Sequence, residues 1–135
     1  MTHATYQAAR ATYQSQAVGT AGPGQLVIML YDGALAAIAK SRTAMETGGR
    51  DTIELVNKEL TRAQNIITEL QLSLDHERGG QIARNLSDIY DFCLAALTQA
   101  NLAKEAGNLD VVSGHLNGLR EAFVVAASSI ARGEA

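Results

Sequence analysis

The chain has 135 residues, a formal net charge of -3 and a hydrophobic fraction of 47%, of which little is aromatic. Such a length fits a single domain of the usual roughly 100–150 residues, and its 11 Lys and Arg residues are scattered singly, without the basic stripe that neutralises nucleic-acid phosphates. No stretch approaches the roughly 20 apolar residues of a membrane span, Met1 to Ala17 lacks the apolar run of a signal peptide, and a lone Cys93 excludes an internal disulfide. The expectation is a cytoplasmic protein with no direct membrane insertion.

Residues 1–19 read as a short N-terminal arm or helix. In it Ala4-Thr5-Tyr6-Gln7 recurs as Ala11-Thr12-Tyr13-Gln14, seven residues on, so a helix would carry both tyrosines on one stripe. The segment is too short to be a stable helix alone. It is either a frayed arm tacked onto the domain or a detachable lid over an apolar groove.

Residues 20–132 read as a four-helix bundle. With no Trp, the core must come from Leu, Ile, Val and Ala, a supply that suits helices. Pro23, the only proline, sits at the favoured first position of the first helix, which Gly48-Gly49 stops. Val27, Leu30, Ala34, Ala37 and Ser41 form its seam, with Leu26, Ile28 and Leu35 apolar beside it. The second helix opens near Asp51, a predicted N-cap. Its apolar residues, Ile53, Val56, Leu60, Ala63, Ile67, Leu70 and Leu74, alternate steps of three and four, the heptad seam of a left-handed bundle.

Gly79-Gly80 marks the next turn, after which Ile82, Leu86, Ile89, Cys93, Ala96, Ala100 and Ala103 repeat the pattern up to Gly107-Asn108. Asn108 or Asp110 is expected to cap the fourth helix, whose seam is Leu109, Val112, Leu116, Leu119, Phe123, Ala126 and Ile130. Turns this short force neighbours antiparallel, so the predicted fold is all-α, an up-down-up-down bundle.

No constellation for chemistry accompanies the seams. A di-iron bundle needs Glu-x-x-His pairs, and no Glu here has a His three residues on. His3, His76 and His115 give no ligand spacing for a metal. Asp88 and Asp91 share a helical face but read as solvated surface, and neither glycine-rich stretch carries the lysine of a phosphate loop. Cys93, between Phe92 and Leu94, reads as a small buried hydrophobe. No catalytic, cofactor or metal site is expected.

Apolar residues nonetheless exceed what four seams use. Tyr31, Leu35, Ile66, Tyr90, Leu94 and Leu97 lie beside them, and Val111, Gly118 and Val125, with Gly114 adjacent, give the fourth helix an outer face poor in charge. Glycines inside a helix suggest close approach by another backbone. That partner is the arm or a sister subunit in a weak homodimer, or else an amphipathic helix from another protein.

Several local strings then add a resemblance. Thr20-Ala21-Gly22-Pro23-Gly24-Gln25-Leu26 runs into Met29-Leu30-Tyr31-Asp32-Gly33-Ala34. Further on stand Ala63-Gln64-Asn65-Ile66-Ile67-Thr68-Glu69-Leu70 and Gly79-Gly80-Gln81-Ile82-Ala83-Arg84-Asn85-Leu86, then Ile89-Tyr90-Asp91, Gln99-Ala100-Asn101 and Leu119-Arg120-Glu121-Ala122. In this order they resemble the flagellin-specific export chaperone family, FliS. The chain departs from the family pattern in Gly22, often Ser, Asp or Thr, and in Phe123, often Trp.

The resemblance implies a four-helix bundle that binds the C-terminal segment of flagellin in the cytoplasm. Capture would prevent premature polymerisation, and the client would pass to the flagellar export gate membrane protein without nucleotide or metal. By position, the resemblance and the surplus apolar face suggest Tyr13, Leu26, Leu30, Tyr31, Ile66, Asn85, Leu86, Tyr90 and Val125 as the partner-binding neighbourhood.

Overall fold

A computed structural model describes residues 23–131, and the arm expected over residues 1–19, with Tyr13, lies outside them. Four helices run in succession: α1 (Pro23–Thr47), α2 (Thr52–Leu72), α3 (His76–Ala103) and α4 (Leu109–Ala131). Each neighbour in sequence is a neighbour in space, and α4 returns to pack on α1, closing the up-down-up-down ring. The all-α bundle expected from the seams is the fold observed.

The helix ends obey local chemistry, with corrections. Gly48 and Gly49 stop α1 at φ of 70° and 95°, a left-handed path that costs glycine nothing. Asp51 does not cap α2: it is helical itself and makes no side-chain cap bond. Instead the Thr52 hydroxyl donates to the Gly49 carbonyl at 2.8 Å. The turn before α3 precedes Gly79-Gly80, because Asp75 accepts the Arg78 backbone N–H at 3.0 Å and starts the helix early. Gly80 then breaks that helix at φ 51° and ψ -124°. At the far end α3 stops short of Gly107, with Lys104 left-handed at φ 55°. Asp110 does not cap α4 but pairs with Arg42 of α1, while the Asn108 carbonyl accepts the Val112 N–H at 3.0 Å.

The core contains Val56, Leu60, Ala63, Ile67, Leu70 and Leu74 from the second seam and Leu109, Val112, Leu116, Phe123 and Ala126 from the fourth. In the other two helices the buried stripe is turned from the predicted one. On α1 it adds Tyr31 and Ile38 to Val27, Ala34, Ala37 and Ser41, leaving Leu30 half-buried. On α3 it runs Ala83, Leu86, Tyr90, Cys93, Ala96, Leu97, Ala100, while Ile82 and Ala103 are exposed. Ile53, the first member of the second seam, is exposed too.

Tyr31 and Tyr90 therefore sit in the centre rather than beside it. Both are fully buried, and their hydroxyls hydrogen-bond each other at 2.6 Å, spanning the bundle diagonal from α1 to α3. The Tyr31 ring also meets Phe123 of α4, centroids 6.0 Å apart. A phenol can be buried whole only if its hydroxyl finds a partner, and here each serves the other.

The four edges of the bundle are held differently. Along α1–α2 small residues let the helices approach closely: a Cβ on Gly33 would stand 3.2 Å from Ile66 Cδ1. Along α2–α3, amides at a seven-residue spacing reach across. Asn57 Oδ1 accepts from Asn101 at 2.9 Å, Gln64 donates to Thr98 Oγ1 at 2.8 Å, and Gln71 donates to Asp91 at 2.8 Å. On α1–α4, the ion pairs Arg42–Asp110 and Arg120–Asp32 sit ten positions apart on each helix. The α3–α4 edge is the most sparsely packed of the four, and no ion pair crosses it among the described residues.

Candidate functional site

That sparse edge is a groove. On α3 its wall is the stripe Ile82, Asn85, Ile89, Phe92, Ala96, Gln99 and Ala103, all on the side turned from α2. On α4 the facing stripe is Val111, His115, Gly118, Ala122 and Val125. At its upper half a cleft of about 360 Å³ is lined by Phe92, Ala95, Ala96, Gln99, Ala100, Ala103, Glu105, Gly107 and Asn108. Large apolar side chains stand open along it: Phe92 is 40% exposed, Ile82 46% and Val111 46%.

Phe92 and His115 meet edge-to-face across the groove, centroids 5.6 Å apart and planes at 81°. This contact sets the antiparallel register. It places Ala96 opposite Val111 on one side and Asn85 opposite Ala122 on the other, within a turn of Val125.

Gly114 and Gly118 lie on the outer half of α4, and a Cβ on either would meet nothing within 4 Å. No described residue occupies that space. Among the described residues, the glycine closely approached by another helix is Gly33. In α4 they leave a smooth, backbone-lined margin beside the groove.

The partner-binding neighbourhood suggested by sequence divides into three places. Asn85 and Val125 stand on the α3–α4 groove, Asn85 exposed and accepting from Gln81 at 2.8 Å, Val125 half-buried. Leu26, Leu30 and Ile66 are half-buried at the α1–α2 edge, Leu30 and Ile66 resting on the core. Tyr31, Leu86 and Tyr90 are core residues and keep almost no accessible surface in this state. Reasoning from sequence missed Phe92 and His115 as groove residues. A phenylalanine three residues from half-buried Ile89 and four from Ala96 was the available signal.

Among the described residues, the titratable groups show nothing prepared for chemistry. Burial pushes the Cys93 thiol up to about 11, the opposite of an activated nucleophile. Asp91 accepts from Gln71, and Asp88 lies exposed on the groove's outer rim. Glu59 is buried with its Oε1 lacking a hydrogen bond, and the Arg62 guanidinium stands 3.8 Å away. No helix among the described residues is long and apolar enough to cross a membrane.

Comparison with known proteins adds the family. Residues 5–129 match the family described as Flagellar protein FliS. The chain is 41% identical to the flagellar secretion chaperone FliS of Salmonella typhimurium over 108 residues, 79% of this chain and 78% of the relative. It is 37% identical to the flagellar secretion chaperone FliS of Bacillus subtilis over 117 residues, 87% of this chain and 84% of the relative. With the Escherichia coli protein of that name it shares 31% identity over 108 residues, 79% of this chain and 77% of the relative.

Proposed function

The chain belongs to the FliS family of flagellar proteins, and from that premise we propose that it is a flagellar secretion chaperone whose α3–α4 groove captures the C-terminal segment of flagellin as an amphipathic helix. Held there in the cytoplasm, the segment is kept from polymerising until the complex reaches the export gate at the membrane. The observation that carries this reading is the sparse packing of the α3–α4 edge among the described residues. Three edges are bonded by close packing, amides or ion pairs, and the fourth exposes Ile82, Phe92 and Val111 beside two open glycines.

A client helix supplies what that edge lacks. Its apolar stripe covers the groove, and the glycine margin lets its backbone lie close to α4. A segment disordered when free pays roughly 2–5 kcal/mol to order itself, so an apolar surface of some length is needed to exceed that cost. Such binding draws on shape and burial rather than catalysis, so the reading is of a binding protein.

Calorimetric titration with a peptide of about 40 residues from the flagellin C-terminus tests the reading, the expected mark being saturable binding with a negative heat-capacity change. Gly118→Leu fills the margin and should weaken capture roughly tenfold or more while leaving the circular dichroism of the chain intact. Equal affinity for both chains would remove the groove from the site. The exposed face of α4 also favours a second reading, self-association through Val111 and the two glycines. Light scattering separates the two: a dimer that takes up no peptide replaces the chaperone reading.

A further inference from the structure

Resting on that reading of the groove, we propose that Phe92 and His115 form a clasp that must part before a client helix can seat, and so set the rate of uptake. The two rings come from opposite walls and touch at mid-groove, 5.6 Å between centroids. Above them lie Ala96 and Val111, below them Ile89 and Gly118, so a helix running the length of the groove meets the contact at its midpoint.

The rings are not what holds the helices together. α4 is fastened to α1 on its far side by Arg42–Asp110 and Arg120–Asp32, and α3 to α2 by the amides. Parting the clasp therefore leaves the bundle intact. An edge-to-face aromatic pair biases an equilibrium by only a few-fold to about tenfold. That is enough to hold the two rings together across the empty groove and little enough for a client to overcome.

Once the clasp has parted, its two halves have different roles. The Phe92 ring, already 40% exposed, becomes an apolar anchor for the seated client. His115 has no such second task, and its effect is confined to uptake.

Stopped-flow mixing of the full chain with a fluorescently labelled flagellin C-terminal peptide reads both steps. His115→Ala is expected to raise the association rate roughly three- to tenfold with dissociation little changed, whereas Phe92→Ala is expected to raise association likewise and the dissociation rate about tenfold. Both side chains lie at the surface, and matched melting curves confirm that the variants fold. An association rate unchanged or lowered in His115→Ala overturns the clasp while leaving the groove reading in place. Failure of the unsubstituted chain to take up peptide overturns both.

Discussion

Tyr31 and Tyr90 carry the bundle's most consequential side-chain contact. Their mutual hydrogen bond is buried between helices that otherwise face each other across the core. Tyr90→Phe removes this hydrogen bond, so it should lower stability by about 0.5–1.5 kcal/mol in urea unfolding. Adding Tyr31→Phe should cost less than the sum of the single changes, the mark of a direct contact in a double-mutant cycle. A charged residue at position 90 would test the core and not the groove. Cys93 lies on the same stripe, and its burial raises the thiol to about 11. The folded state thus favours the protonated thiol, and the unfolded chain loses its proton first as pH rises. Stability should fall between roughly pH 9 and pH 11 in thermal melts, and Cys93→Ala should lack that part of the decline.

At the scale of elements, four helices and their antiparallel order were legible because breakers and seams agreed. The rotation of two of them was not. On α1 the predicted and observed stripes share Val27, Ala34, Ala37 and Ser41, and on α3 they share Leu86, Cys93, Ala96 and Ala100. Between those shared heptad positions, each helix offers apolar residues on both flanks, so a three-four alternation fits either choice equally. Only packing decides, and it chose Tyr31, Ile38, Tyr90 and Leu97. The two tyrosines therefore look like surface until the helices are assembled. The α2–α3 amides were equally hidden, since polar residues seven apart on one helix announce nothing until the other helix is in register. At Gly80, φ of 51° with ψ of -124° is a conformation open to glycine and strained for other residues. Gly80→Ala should cost about 1–3 kcal/mol in chemical denaturation, although its Cβ would meet no atom within 4 Å. A neutral outcome would mean that the break at the base of α3 can straighten.

For the whole molecule, the existence of spare apolar surface was legible, and two of the residues named from sequence, Asn85 and Val125, stand on the α3–α4 edge. Its location was not, because a groove belongs to two helices at once and Phe92 and His115 meet only after both have formed. The unequal edges have one more consequence. Ions in solution weaken charge pairs exposed to water, and leave neutral amide bonds and apolar contact largely untouched. The pairs Arg42–Asp110 and Arg120–Asp32 both bind α4, and both include a carboxylate open to solvent. Raising ionic strength should thus quicken amide hydrogen exchange in α4 ahead of α2 and α3, a difference that mass spectrometry can resolve by segment. An even response across the bundle would contradict this. Brine, in effect, tugs at a single stave of the barrel, and it is the stave that borders the opening.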